Sequence, residues 1–163
     1  MHRHVVESLV AAEETMLRGD VAAGTLRRVE RRGTLLVAEL PRTIYSAIPT
    51  ANGGVLDLGR RTEGAIVVAL HCENFDTDPP SLVFVTDWDA TIELPYAQWP
   101  KGPGVVPVHH ATGKPFLCRP GVREFHTHIQ HGDEPWERYR SYVRPSQLLR
   151  QLAHDLRTKQ VLQ

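Results

Sequence analysis

A stretch in the second half of the chain combines a thiol, a carboxylate and imidazoles at close spacing. Cys118 is followed by Glu124, His126 and His128, and His110 precedes it. A thiolate, a carboxylate and two neutral imidazoles make a complete set of donors for zinc, whereas a lone thiol beside histidines is how a cysteine nucleophile is equipped. The stretch therefore predicts either a zinc site or a nucleophilic cysteine.

Both interpretations use the same predicted geometry. If residues 123–129 are extended, alternation places the carboxylate and the two later histidines on one face. A turn at residues 119–121 then folds that face toward Cys118. As a catalytic set, the imidazolium of a histidine would lower the pKa of the thiol, and Glu124 would orient a histidine or act on the incoming nucleophile.

A purely structural interpretation is also open. Cys118 follows Phe116 and Leu117 and can serve as a small buried hydrophobe, and histidines in polar loops are often surface residues. The crowding of imidazoles argues against it. Of the nine histidines in the chain, this region holds His109, His110, His126, His128 and His131.

The composition is that of an ordinary globular chain. Its 163 residues are 41% hydrophobic and 23% charged, which predicts a single domain over residues 1–163. The 19 basic and 19 acidic residues cancel, so no overall field attracts nucleic acid. Because no uninterrupted apolar segment provides a signal core or a membrane span, we expect a cytoplasmic protein with no membrane partner. Cys72 ends an apolar run and is predicted to be buried filler.

Hydrophobic periodicity predicts a helix, four strands, a long irregular segment and a second helix. Apolar residues recur at helical spacing from Val5 to Leu17, and Gly19 follows as the expected stop. The first two strands flank a polar break with Gly33, and Pro41 is expected to end the second. The predicted strands cover residues 25–30, 34–40, 65–70 and 81–86.

The segment from Asp87 to Pro120 is rich in proline and glycine, which predicts a long ordered loop that carries Cys118. After it, Pro145 opens a run with an apolar face that includes Leu148, Leu149, Leu152, Ala153 and Leu156. The predicted class is α+β: an N-terminal helix, a four-stranded antiparallel meander, the cysteine-bearing loop and a C-terminal helix.

This order of elements resembles the ubiquitin-conjugating fold. The stretch 74–84, with its aromatic residue and the pair Pro79-Pro80, is similar to the family's approach to the fourth strand. The stretch from His109 or His110 through Gly113 to Cys118 is similar to the family's histidine-glycine-cysteine segment. Pro135-Trp136 resembles the tryptophan that precedes the following helix. The resemblance covers most of the chain.

A shorter motif resembles a bacterial family found beside genes for ubiquitin-like conjugation. That family has a cysteine, glutamate, histidine, histidine signature and is predicted to bind metal. Cys118, Glu124, His126 and His128 reproduce the signature. The two resemblances together imply a carrier that accepts a ubiquitin-like protein on Cys118 from an activating enzyme and passes it to a protein acceptor. No cofactor is required, since a phosphate-binding loop is absent from the sequence and activation belongs to the partner.

The resemblance also implies that the polar face of the opening helix, with Arg3, Glu7 and Arg18, docks the activating enzyme.

The sequence departs from the conjugating enzymes at the positions that precede the cysteine. Ala111 and Thr112 stand where conjugating enzymes have proline and the asparagine that stabilises the oxyanion. An oxyanion donor must therefore come from elsewhere: a backbone amide, Thr112 or a histidine. The alternatives in the same pathway are a zinc-stabilised scaffold and a zinc hydrolase in which Glu124 is the base.

Overall fold

The computed structural model describes residues 2–48, 57–75, 77–102 and 104–158. It is an α+β structure in which a long helix, a four-stranded antiparallel sheet and a second long helix follow one another, as predicted. The helices are α1 (His2–Ala22), the short α2 (Arg123–Thr127) and α3 (Pro145–Thr158). The sheet strands are β1 (Arg28–Arg32), β2 (Leu35–Ile48), β3 (Asp57–His71) and β4 (Ser81–Val85).

The sheet is a simple meander in the order β1-β2-β3-β4. Strands β2 and β3 are much longer than predicted, and the expected end of β2 at Pro41 is wrong. Strand β1 reaches only as far as Glu39 on β2, while Pro41 still pairs with Ala65 of β3. Beyond Glu39 one side of β2 is therefore an open edge, where the missing N–H of proline costs no ladder hydrogen bond.

Helix α1 also continues past its expected stop. Gly19 lies on the exposed side of the helix, and the side chain of the next residue, Asp20, binds Arg150 of α3 with Nε–Oδ2 at 2.7 Å. This ion pair holds the turn that follows the glycine. The helix ends instead at Ala22, and Gly24, two residues later, has φ +74 and donates its amide to Val21 O. A left-handed glycine is the usual way to terminate a helix.

Both long helices pack on the meander and share one core with it. Helix α3 lies against β2, and α1 lies against β1 and α3. The apolar face predicted for α3 is confirmed, since its leucines and Ala153 are buried. Cys72 is 0% exposed in this core, as expected. Among the described residues, no helix has the length and apolarity needed to cross a membrane.

The segment between β4 and α2 is mostly irregular, as predicted. Its described residues include a 3-10 turn at Tyr96–Gln98 and two short strands, β5 (Val105–Val106) and β6 (Phe116–Leu117), which pair with each other. The indole of Trp99 packs edge-on against Phe84 of β4, with ring centroids 4.8 Å apart. The segment is therefore anchored on the core and presents Cys118 directly after β6.

Candidate functional site

Cys118 lies at the end of the small β5–β6 hairpin and is partly exposed. Its amide donates to Gly104 O at 2.6 Å, and the amide of Arg119 donates to Leu117 O at 3.0 Å. Gly104 has φ +90, a conformation that glycine adopts without strain. Cys118 is thus held by backbone contacts at the point where the chain leaves the hairpin.

The segment after the cysteine is helical, so the predicted extended conformation of residues 123–129 is wrong. Helix α2 is followed by a 3-10 turn at Ile129–His131. The amide of Arg123 donates to Pro80 O at 2.8 Å, which fixes the start of α2 beside β4. Phe125 is buried at the centre of α2. One helical turn can bury this phenylalanine as well as a strand can. In a helix, however, Glu124, His126 and His128 do not share one face, as they would in a strand.

The imidazole nearest to Cys118 is that of His131. Sγ of Cys118 lies 3.3 Å from Nε2 of His131. The other ring nitrogen of His131, Nδ1, lies 3.1 Å from Oε1 of Glu134. The hydroxyl of Tyr139 donates to the second oxygen, Oε2, of Glu134. In order, a thiol, an imidazole, a carboxylate and a phenol form one continuous hydrogen-bonded chain.

This arrangement meets the geometric definition of an activated nucleophile, since a base contacts the thiol and a third group orients the base. With Nδ1–H of His131 donating to Glu134, Nε2 carries the lone pair that faces Cys118. The ring of Phe125 stacks on that of His131 with centroids 3.9 Å apart. The imidazole is therefore fixed by a hydrogen bond at its edge and by an aromatic ring on its face.

Burial raises the pKa of the Cys118 thiol above its usual range, and the negative charge of Glu134 raises it further. Hydrogen bonds from Tyr139 and His131 lower the pKa of Glu134, so that this carboxylate is ionised at neutral pH. Both effects favour the thiol form of Cys118. Nε2 of His131 is placed to take the thiol proton as a general base.

The sequence predicted other partners for Cys118, and the structure places each of them elsewhere. Glu124 accepts a hydrogen bond from the hydroxyl of Ser81 at the start of β4. Its second oxygen, Oε2, is buried without a hydrogen bond from any described residue. Glu124 lines a separate cleft of about 290 Å³ with Thr112 and Lys114. The carboxylate beside Cys118 is Glu134, not Glu124.

Both nitrogens of His126 are occupied. Nδ1 donates to the backbone oxygen of Glu134 at 2.8 Å, and Nε2 accepts from the amide of Gly121 at 3.1 Å. The ring lies between Trp136 and Tyr139, with centroids 5.5 and 5.0 Å away. His126 therefore holds the Glu134 loop against the turn that follows Cys118, and in this arrangement it has no lone pair for a metal or a proton.

His128 belongs to a group of contacting rings, one pair stacked and the others edge-on or tilted, which we call the imidazole stack: His109, His110, His128 and Phe116. Phe116 stacks on His128 at 5.3 Å, and His109 and His110 lie 5.5 and 5.4 Å from the ring of His128. Burial lowers the pKa of His128, and the neighbouring imidazoles lower it further. His110, a predicted catalytic residue, packs in this stack instead of contacting Cys118.

The predicted zinc ligands do not fit a single ion in this arrangement. Cys118 contacts His131, Glu124 contacts Ser81, and the ring nitrogens of His126 are both bonded. Within the described part of the chain, no group of three or more histidine, cysteine, aspartate or glutamate side chains is placed to hold a metal ion. A zinc site built from these residues would require α2 to rearrange.

Sequence reasoning missed the roles of His131, Glu134 and Tyr139. The sequence places His131 among the clustered imidazoles, but alternation along residues 123–129 does not reach it. The signal that identifies the pair is the spacing of His131 and Glu134, three residues apart, which brings their side chains together across one turn. The spacing predicts this contact only if the chain turns at Ile129–His131, and the sequence analysis did not predict that turn.

Cys118 opens into a groove of about 490 Å³ between its loop and α3. Arg119 forms an ion pair with Asp155 at one end of this groove, and both side chains are largely buried. The opposite side of the groove is lined by Val143, which precedes α3, and by Gln147, Leu148, Gln151 and Asp155 of α3. An open groove of this kind admits an extended chain end or a flexible side chain to the thiol.

Comparison with models of protein families and with curated proteins found no match to this chain. The functional argument therefore depends on the site itself.

Proposed function

We propose that this chain is a carrier of the ubiquitin-conjugating type that accepts a ubiquitin-like protein on Cys118. The observation that carries the proposal is the contact of Cys118 with His131, and of His131 with Glu134, beside an open groove. The order of helix, four-stranded antiparallel meander and C-terminal helix supports a fold of the ubiquitin-conjugating type. The activating enzyme, the ubiquitin-like protein and a protein acceptor are the proposed partners.

The proposed reaction is a transthiolation. Nε2 of His131 takes the proton of Cys118 as Sγ attacks the thioester carbonyl carbon of the incoming protein. The bond between that carbon and the sulfur of the activating enzyme breaks, and the departing thiolate takes the proton back from His131. One C–S bond replaces another, so no oxidant or reductant is needed. ATP is consumed only by the activating enzyme.

The test is intact-mass analysis of the purified chain after incubation with a ubiquitin-like protein, its activating enzyme and ATP. The native chain should gain the mass of the small protein less water, and a reducing thiol should remove it. Cys118→Ser should show no such adduct or should form an ester that resists the thiol. The matched control is Cys72→Ser, because Cys72 is buried in the core.

A second candidate function is a thiol hydrolase that cleaves the same kind of acyl bond. The His131–Glu134 pair favours it, because a general base that deprotonates a thiol can also deprotonate water. The lifetime of the adduct separates the two functions. A carrier keeps the acyl group until an amine or thiol acceptor is added, whereas a hydrolase releases the acid without an acceptor.

Measuring the zinc content separates the proposed carrier from the two remaining alternatives, the zinc scaffold and the zinc hydrolase, which both bind zinc. One zinc per purified chain, with a large loss of stability on chelation, would identify Cys118 as a ligand. A native chain that forms the thioester with equal speed before and after chelation would instead support the proposed carrier.

A further inference from the structure

Acyl transfer to Cys118 requires a donor for the carbonyl oxygen, which becomes negatively charged when the thiol attacks. This requirement rests on the proposed function. Preorganised N–H or O–H groups supply such stabilisation, and removing one of them typically slows a reaction about a hundredfold or more. The sequence lacks the asparagine of conjugating enzymes, so the donor must be found among the groups that surround the groove.

The backbone amides nearest to Cys118 are already occupied. The amide of Cys118 donates to Gly104 O, that of Arg119 to Leu117 O, and that of Gly121 to Nε2 of His126. Pro120 has no N–H. No amide from residue 118 to residue 121 is therefore free to bind an oxyanion.

The side chains suggested by the sequence are also placed elsewhere. Oγ1 of Thr112 accepts the amide of Lys114 at 3.3 Å, and Thr112 lines the cleft of Glu124. Nε2 of His109 faces Oγ1 of Thr127 at 3.3 Å, and His110 packs in the imidazole stack. The histidine that does contact Cys118, His131, is occupied by the proton of the thiol.

Gly104, Tyr142 and helix α3 form the rest of the groove lining, and α3 contributes the most residues to it. Gln147 and Gln151 both line it and are both exposed, and they lie one helical turn apart on the same face. Neither side-chain amide makes a hydrogen bond with another described residue. Their N–H donors are therefore free for a ligand in the groove.

Two contacts align the loop of Cys118 with this face of α3. Arg119 binds Asp155, one turn beyond Gln151. Gly121 lies so close to Val143, two residues before the start of α3, that a Cβ atom at position 121 would overlap the valine side chain. The loop therefore runs along the helix between Asp155 and Val143, opposite the two glutamines. Nη2 of Arg119 donates to Asp155, and Nη1 of Arg119 is buried without a hydrogen-bond partner among the described residues, so it is not exposed to a ligand in the groove.

We propose that the side-chain amides of Gln147 and Gln151 form the oxyanion site for acyl transfer at Cys118. As Sγ bonds to the carbonyl carbon, the π pair moves onto the oxygen, which accepts N–H from the glutamines. When the tetrahedral intermediate collapses, that pair re-forms the carbonyl and the old C–S bond breaks. The glutamines would then be catalytic residues, since they contact the reacting oxygen.

The test compares two reactions of the same thiol. Acylation by S-acetyl-N-acetylcysteamine, a small thioester, passes through an oxyanion, whereas alkylation by iodoacetamide does not. The single variants Gln147→Ala and Gln151→Ala should each slow acylation, and the double variant should slow it about a hundredfold or more. Alkylation should remain within twofold of the native rate. Gln98→Ala, an exposed glutamine outside the groove, is the matched control.

Several outcomes would overturn the assignment. Equal acylation rates in the double variant and the native chain would shift the role to the Gly104 amide or the Tyr142 hydroxyl. An equal loss of acylation and alkylation would show that the glutamines govern only access to the thiol. A native chain that the thioester does not acylate would overturn the proposed function as well, whereas an acylated native chain with an equally fast double variant overturns the oxyanion site alone.

Discussion

The two nitrogens of His131 have separate tasks. Nε2 faces Sγ of Cys118, and Nδ1 faces Glu134, so the ring can accept a proton at one edge while the carboxylate stabilises the resulting charge at the other. Because burial and the charge of Glu134 raise the pKa of Cys118, the proposed transfer requires a base such as His131. The histidine that contacts Cys118, and that serves as the base in the proposed mechanism, is thus one that the sequence motif leaves out.

Replacing His131 is the first prediction at this scale. His131→Ala should slow acyl transfer to Cys118 by about a hundredfold or more, the usual contribution of a positioned general base. The measurement is the single-turnover rate of thioester formation. His154→Ala, an exposed imidazole on α3, should have no effect. If His128→Ala lost the activity and His131→Ala kept it, the predicted motif would be right and the contact with His131 would be incidental.

The substitution Glu134→Gln should change two rates in opposite directions: alkylation of the Cys118 thiol should become faster, and acyl transfer to it should become slower. The charge of Glu134 raises the pKa of Cys118, so its removal lowers that pKa and increases the thiolate fraction at a given pH. Alkylation by iodoacetamide should therefore become faster near neutral pH. Acyl transfer should become slower, because His131 loses the group that orients it and balances its charge. A parallel change in both rates would contradict this assignment.

At the scale of elements, one buried carboxylate joins the two long helices. Glu13 of α1 is 2% exposed, and its oxygens accept from Nε of Arg144 at 2.7 Å and from the amide of Ser146 at 2.9 Å. Ser146 lies in the first turn of α3, where amides have no partner within the helix. Glu13 thus caps α3 from a distant part of the sequence and fixes the helix that lines the groove.

Glu13→Ala should lower the free energy of unfolding by about 3 kcal/mol, because it leaves a guanidinium and a helix amide without their partner. The measurement is urea unfolding followed by circular dichroism. Glu7→Ala removes an exposed pair with Arg3 on the same helix and should cost about 0.5 kcal/mol or less. Equal losses in the two variants would show that Glu13 is only another surface charge.

The elements show how far the sequence predicts this structure. The class, the order of elements and the apolar face of α3 follow from periodicity, which records burial directly. The ends of α1 and β2 do not, because the features that accompany Gly19 and Pro41 involve residues distant in sequence: the Asp20–Arg150 pair and the open edge that β1 leaves on β2. The polar and apolar residues of the short α2 alternate in a way that fits a strand and one helical turn equally well. Because the sequence analysis assumed a strand, it predicted partners for Cys118 that the helix places elsewhere.

At the scale of the whole molecule, the chemistry and the proposed docking surface lie on different elements. Cys118 opens toward α3, while Arg3 and Arg18 lie on α1 with side chains 85% and 67% exposed. These arginines make only exposed or partly exposed ion pairs along their own helix, which contribute little to stability. Changes there should therefore act on a partner without altering the site.

The double variant Arg3→Glu, Arg18→Glu should keep its unfolding midpoint close to that of the native chain. It should accept an acyl group from a small thioester at the native rate and from the activating enzyme more slowly, with the difference reduced at high salt. Comparing the two donors in parallel provides the measurement. Equal rates from the activating enzyme in the variant and native chains would exclude this face of α1 as the docking surface.

The most direct test of the account is to identify the residue that carries the acyl group. The adduct formed with the ubiquitin-like protein, its activating enzyme and ATP would be digested without a reducing agent and mapped by tandem mass spectrometry. The account predicts a thioester between the C terminus of the small protein and Cys118. A bond to Cys72 or to a lysine, or no adduct with a chain whose fold is intact, would contradict it.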